Sequence, residues 1–389
     1  MDDIFHRPAY AQEIAKDLLQ PGPLNAGLRS GVFLSGIRRV GKTTFLRQDL
    51  IPVLLEKGAL PIYVDLWADK LRAPSSLVGE SVHKTIQELS TPGSLILKNL
   101  RRLTGMDLGI GAFKFGIKLS DRGGLEQGTL ADVFAELVLQ VKTDVVMVVD
   151  EVQHALGTED GMNMLHALKA ARDRINTDPD MPGKFIFLGT GSHKSLVNDM
   201  ATRRSHPFAG AVAVSFRVLD EDFVQWRLAQ IRKHEPLAVL PSAEIAVQGF
   251  RVMGNRPEEM GKALIELQRQ FGQHDGASSN QLYTSICQTR ASAAAEIEIA
   301  AIEGFGLLGS AIFSRIANGR SSGMFGSDAL SEYALRTGMS VDVPQVQNTA
   351  DKMIAANLIM RMGHGVYDVS DPFVRDAWLA YEEHPHMLR

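Results

Sequence analysis

Two clusters in this sequence have the residue types and spacing of a phosphate-handling centre. The first is Gly36-Ile37-Arg38-Arg39-Val40-Gly41-Lys42-Thr43-Thr44, which carries the G-x-x-x-x-G-K-[ST] spacing of a phosphate-binding loop. Gly36 and Gly41 let backbone N–H groups turn inward around a polyphosphate, and the helix that follows adds its positive end. Lys42 is then the point charge for the β- and γ-phosphates, and the Thr43 hydroxyl is a ligand for Mg²⁺. The second cluster is Asp150-Glu151, which ends the apolar run Val145-Val146-Met147-Val148-Val149. An aspartate there can hold Mg²⁺ through water, beside Thr43, and a glutamate one residue later can orient or deprotonate an attacking water. Two adjacent carboxylates at the end of a buried strand repel each other, and a bound cation removes that objection. Together the clusters predict ATP and Mg²⁺ as ligands.

Weaker candidates lie at other element ends. The run Lys184 to Leu188 ends in Gly189-Thr190-Gly191-Ser192, so Thr190 or Ser192 could sense the γ-phosphate or position the lytic water; both stay open. Arg203 and Arg204 precede a strand expected over Ala211 to Phe216, where a neighbouring subunit's arginine finger would be supplied; a solvated surface pair is the alternative. Arg256, in Gly254-Asn255-Arg256-Pro257 between two helices, is placed to point back at a nucleotide. Asp65 ends a second strand and either joins the magnesium shell or caps the next loop. Phe5 and Arg7 are candidates for covering the base, with ordinary packing as the competing reading.

The elements that must position these groups follow from periodicity. Strand, glycine loop and helix occupy 31–57, and helical spacing marks 8–20, Ser75 to Leu89 and Leu130 to Val141. The unbroken apolar run before Asp150 marks a strand buried on both faces, as in a parallel sheet. Phe113, Phe115, Ile117 and Leu119 alternate with polar residues or glycine, which predicts a hairpin inserted at about 105–120. From Leu219 onward strands give way to helices over Glu221 to Lys233, Ser242 to Met253, Pro257 to Phe271 and Gln281 to Ala301, with a hinge at Gly272 to Asn280. Helices over Phe305 to Ala317, Asp328 to Arg336 and Pro344 to Asn357, then a hairpin around Gly363-His364-Gly365, give the order of a winged helix-turn-helix. The expected fold is an α/β P-loop NTPase core (1–218), an α-helical lid (219–300) and a C-terminal winged helix domain (301–389).

Composition narrows the partners. The 389 residues are 45% hydrophobic and 22% charged with formal net charge −4, so no global field draws the chain to nucleic acid or anionic membrane. A single cysteine, Cys287, excludes an internal disulfide framework and a multi-cysteine zinc site. No apolar run is long enough to span a bilayer, and the first residues lack a signal peptide's apolar core, so the expectation is a cytoplasmic protein without membrane partners.

GIRRVGKTT, VVMVVDEVQ, FLGTGS and the ending GVYDVSDPFVRDAWL together resemble the archaeal-type ATPases of the AAA+/STAND group of P-loop NTPases, similar in layout to initiator-type origin-binding ATPases. The resemblance implies Lys42 and Thr43 on phosphate and Mg²⁺, Asp150 on Mg²⁺, Glu151 as catalytic carboxylate and a sensor at Thr190 or Ser192. It also implies an ATPase core, helical lid and winged helix. The lid sequence Gly-Asn-Arg-Pro departs from the group's pattern and leaves the role of Arg256 open.

Two functions compete. One is an ATP-driven switch, a homo-oligomer that recruits a protein partner; the other is an ATPase whose winged helix binds duplex DNA. Residues 301–389 hold seven basic side chains against ten acidic ones, a net of −3, and the expected recognition helix offers only Lys352 as a cation. Phosphate neutralisation carries much of DNA affinity, which favours the protein partner, although Arg101, Arg102, Lys114 and Lys118 could compensate. A small-molecule kinase would leave Glu151 and the helical and winged regions unexplained.

Overall fold

A computed structural model describes residues 4–69, 71–91, 93, 94, 96, 98, 129–271, 278–363 and 365–384. The hairpin expected at 105–120, with Arg101, Arg102, Lys114 and Lys118, lies outside the described residues, as does most of the expected hinge.

Strand β3 (Val145–Asp150) is an interior strand with all six residues buried, and it pairs in parallel with β2 (Leu60–Asp65) on one side and β4 (Phe185–Gly191) on the other. Strands β1 (Val32–Ser35) and β5 (Val212–Ser215) complete a five-stranded parallel sheet in the order β2-β3-β4-β1-β5. The two-residue period of a strand divides the core into two layers. Val145, Met147 and Val149 face a cluster with α4 (Pro74–Ser90), α5 (Leu130–Val141) and α6 (Glu159–Thr177). Val146 and Val148 face the other side, against α1 (Pro8–Leu19) and the helix after the glycine loop. That helix runs through α2 (Lys42–Phe45), a π-turn (Leu46–Leu50) and α3 (Ile51–Glu56). Each fully buried valine is worth about 1.5–3 kcal/mol, which is why this run specifies an interior strand covered on both faces.

Parallel register sets the functional edge. Asp65 pairs with Asp150, Val149 with Gly189, and Leu34 with Thr190, so the carboxyl ends of four strands form one row. Ligands of open α/β sheets bind outside such ends.

Beyond the sheet, α7 (Lys194–Thr202) follows β4, and α8 (Glu221–His234), α9 (Ala243–Val252), α10 (Pro257–Gln270) and α11 (Ser279–Glu303) follow β5. Leu282, Tyr283, Ile286 and Cys287 of α11 pack with Phe223, Phe250 and Leu264. Ala295, Ile299 and Ile302 of the same helix belong to the next core, with Phe313, Tyr333 and Trp378. One 25-residue helix thus runs from the helical region into the C-terminal one, and position 300 falls inside it. The C-terminal elements are α12 (Gly306–Ala317), α13 (Ser327–Thr337), α14 (Val343–Ala355), the antiparallel hairpin β6 (Ile359–Gly363) and β7 (Val366–Val369), and α15 (Pro372–Glu383). This is a winged helix-turn-helix arrangement with one further helix. Asp342 starts α14 with a capping box to Gln345. Among the described residues, no single helix is long and apolar enough to cross a membrane.

A tight approach beside the site gives a test of this packing. A Cβ on Gly161 would sit 2.2 Å from the Ala155 carbonyl oxygen, whereas one on Gly157 would meet nothing within 4 Å. Gly161→Ala should therefore cost about 1–3 kcal/mol and lower the thermal midpoint by several degrees, with Gly157→Ala close to wild type. Equal midpoints in a melting experiment would contradict the packing of α6 on the turn that follows β3.

Candidate nucleotide site

The loop between β1 and α2 is shaped by three residues. Arg39 (φ 65°) and Gly41 (φ 87°) adopt left-handed backbone, and the Lys42 ammonium donates to the carbonyl oxygens of Gly36 (2.8 Å) and Ile37 (2.7 Å). Gly41 meets the left-handed requirement without steric cost. Lys42 is 5% exposed, and burial pulls its pKa down to about 8, opposed by the nearby Glu151 and Asp150 carboxylates.

Facing the loop, Asp150 is fully buried and its carboxylate is saturated with donors. Thr43 Oγ1 donates to Oδ2 at 2.7 Å and the Tyr63 hydroxyl at 3.2 Å; Thr190 Oγ1 and the Glu151 backbone N–H donate to Oδ1. Burial, then the charges of Asp150 and Asp65, push the Tyr63 hydroxyl strongly upward, so it remains a donor. Glu151 has left-handed backbone (φ 53°), which turns its side chain off the strand direction. Its Oε2 accepts from the Ser192 backbone N–H (3.2 Å), from Ser192 Oγ (2.7 Å) and from the Gln153 amide.

The donor set fits Mg²⁺. A hydroxyl and a carboxylate lie in direct contact, Thr43 to Asp150, and Asp65 and Glu151 concentrate negative charge around them; burial and then the charges of Asp150 and Glu151 push the Asp65 carboxyl upward. A hard cation prefers such oxygens. Asp65 itself accepts from the Trp67 backbone N–H at 2.8 Å, so it caps the loop, the second of its two sequence readings.

Lys42, Thr43 and Glu151 line one end of a cavity of about 820 Å³, with Asp150 buried behind Thr43. Its other end is aromatic: Phe5 lies 5.5 Å from Trp226 and 5.7 Å from Phe223, ring centre to ring centre. The N-terminal segment is fastened there by Asp49, which accepts from the Arg7 backbone N–H (3.1 Å) and bonds His6 Nδ1 (2.8 Å). Phe5 and Arg7 thus stand on the cavity wall, as do Arg38, Arg39, Val40, Gly41, Lys42, Thr43, Thr44 and Glu151. Gly36 and Ile37 contribute carbonyl oxygens to Lys42 instead.

Three arginines named from sequence lie off the cavity wall. Arg256 pairs with Asp371 at 3.0 Å and stacks over Phe373, joining the start of α10 to the start of α15. Arg203 pairs with Asp199 one helical turn back, and Arg204 is exposed beside it. Conversely, Trp67, Trp226, Gln153 and Tyr63 belong to the site although sequence reasoning assigned them nothing. Trp67, next but one after Asp65 at a strand's carboxyl end, had a positional signal; the others are brought in only by folding.

No model of a known protein family matches the sequence, and no curated protein matches it. Solved structures do match in fold. The Walker-type ATPase of Pyrococcus abyssi is 18% identical with TM-score 0.56, covering 97% of both chains. The Aeropyrum pernix ORC2 protein in its ADP form is 14% identical with TM-score 0.54, covering 98% of this chain and 96% of that one. Its ADPNP–ADP complexes give TM-score 0.50 at 14% identity over 98% of both chains. At such identities the likeness shows the fold: a parallel sheet with a glycine loop after its first strand, followed by helical and winged regions, the layout that the sequence resemblance implies.

Lys42 makes nucleotide affinity depend on pH in a definite direction. Its pKa near 8 in the free protein must rise when phosphate oxygens surround it, so above pH 8 binding takes up a proton. ADP affinity should fall as pH rises through 8, with proton uptake at pH 8.5 and little at pH 7. Calorimetry in two buffers of different ionisation enthalpy measures this; equal proton uptake at both pH values would remove Lys42 as the cause.

Proposed function

We propose that this chain is a Mg²⁺-dependent ATPase working as a molecular switch, whose nucleotide state controls oligomerisation and recruitment of a protein partner. The observation that supports the reading is the Thr43–Asp150 contact of 2.7 Å, with Lys42, Thr43 and Glu151 on one cavity wall. In the reaction a water oxygen attacks the γ-phosphorus while the Glu151 carboxylate accepts its proton, and the bond from phosphorus to the β–γ bridging oxygen breaks to release ADP and phosphate. Thr43 and Asp150 would hold Mg²⁺, which supplies charge neutralisation on the phosphates. Ser192 and Gln153 orient Glu151, and Thr190 orients Asp150.

The switch reading rests on how the site adjoins the winged domain. Ser192 is followed by His193, whose Nε2 bonds the Ala355 carbonyl oxygen at 3.1 Å, and Ser195 Oγ donates to the Ile354 carbonyl oxygen at 3.2 Å. Asn198 donates to the Arg361 carbonyl oxygen in β6. A shift of Ser192 when Glu151 engages water therefore acts directly on the last turn of α14 and on the wing. The protein partner is favoured by the acidic balance of the winged region; Arg361, its wing cation, is turned toward Asp351 at 3.5 Å. A second reading, a DNA-binding AAA+ ATPase, draws on the exposed Gln345, Gln347 and Asn348 of α14, whose side chains can bond base edges. The Aeropyrum ORC2 protein shares the overall fold on which that reading depends.

Steady-state ATP hydrolysis with and without duplex DNA, at low and moderate salt, tests both. Glu151→Gln should lose about 10²–10⁴ in turnover while retaining ATP, and Lys42→Ala should lose tight nucleotide binding. Normal turnover in Glu151→Gln would sink the ATPase assignment of that residue. DNA stimulation that fades with salt would replace the protein-partner reading with the DNA one.

A further inference from the structure

The loop carries two consecutive arginines, and the left-handed backbone of Arg39 sends them in different directions. Arg39 pairs with Glu258 at the start of α10, at 3.4 Å. Arg38 turns to the catalytic end: its Nε donates to Ser192 Oγ at 3.3 Å, the hydroxyl that itself donates to Glu151. Its guanidinium carbon lies 4.7 Å from the centre of the Trp67 ring, an aromatic face that fixes the plane of the side chain. Both Arg38 and Trp67 line the cavity alongside Lys42 and Glu151. With Nε used, the two Nη nitrogens and their four N–H groups remain to serve a phosphoryl group.

Most other arginines near the site have partners of their own, Arg204 is exposed off the cavity wall, and Arg227 lines the cavity next to Trp226 of the aromatic cluster. Arg39 is held by Glu258, Arg256 by Asp371 and Arg203 by Asp199, and Arg7 donates to the Arg217 carbonyl oxygen at the aromatic end. Hydrolysis spreads negative charge over the equatorial oxygens of the transferring γ-phosphoryl group, and a guanidinium fork matches that charge in shape and sign.

We propose that Arg38 is a catalytic residue acting in cis: it donates to the γ-phosphoryl oxygens in its own subunit, in place of an arginine from a neighbour. Resting on the ATPase reading above, this names the group that stabilises the transition state and makes hydrolysis a property of the single chain. Trp67 and Ser192 position the guanidinium, which couples it to the Glu151 carboxylate that handles the water.

The full chain tests this in two ways. In single-turnover hydrolysis at saturating ATP, Arg38→Ala should lower the rate about 100- to 1,000-fold with ADP affinity kept within a few-fold. Millimolar guanidinium should restore part of that rate, which a merely structural loss would not show. An equal mixture of Arg38→Ala and Glu151→Gln subunits should stay inactive; recovered activity would place the arginine across a subunit boundary and overturn the proposal. The second measurement needs no turnover: aluminium fluoride should tighten ADP binding to the wild type and not to Arg38→Ala. Equal tightening in both would refute a transition-state role for Arg38. A wild type that hydrolyses no faster than Glu151→Gln would defeat the ATPase reading instead, and the aluminium fluoride comparison would still decide Arg38.

Discussion

A carboxylate buried at the end of an apolar strand is the constraint on which the site depends. Asp150 is fully buried, and leaving such a group unpaired costs several kcal/mol, so its oxygens must be met by donors. Those donors come from three different elements: Thr43 from the helix after the glycine loop, Tyr63 from β2 and Thr190 from β4. Satisfying one charge thereby sets the loop, two strands and the Glu151 backbone in register. The same contacts explain why Thr43 and Asp150 are adjacent enough to share a hard cation.

A second buried charge works in the opposite sense. Lys42 is held by the two loop carbonyls and by the field of Asp150 and Glu151, yet burial still depresses it. Its partial loss of proton affinity is the electrostatic counterpart of a site built to receive anionic oxygens.

Outward from this centre, coupling is carried by contacts that a sheet alone would not provide. The turn after β4 holds Glu151 through Ser192 and, within three residues, touches the last turn of α14 through His193 and Ser195. Arg256 and Asp371, both largely buried, join the start of α10 to the start of α15. The Arg39–Glu258 pair is exposed and correspondingly weak, about 0–1 kcal/mol. The continuous helix α11 contributes to both the helical and the winged cores, so the two regions share a rigid member.

By itself the sequence determined what depends on local spacing. The glycine loop, the buried strand ending in Asp150-Glu151, the alternating strand–helix core and the helix–helix–helix–wing order are all periodic or motif-based, and the observed elements match them to within a few residues. Only the tertiary structure decided what each side chain meets. Asp65 caps a loop, Arg256 pairs with Asp371 away from the cavity, and Arg38 reaches Ser192 while Arg39, on left-handed backbone, meets Glu258. Trp67 and Trp226, far apart in the chain, line the same cavity. The physical reason is one of range: hydrophobic period and turn chemistry act over a few residues and show in the string, whereas the direction of an arginine is set by charges and rings that only folding brings within reach.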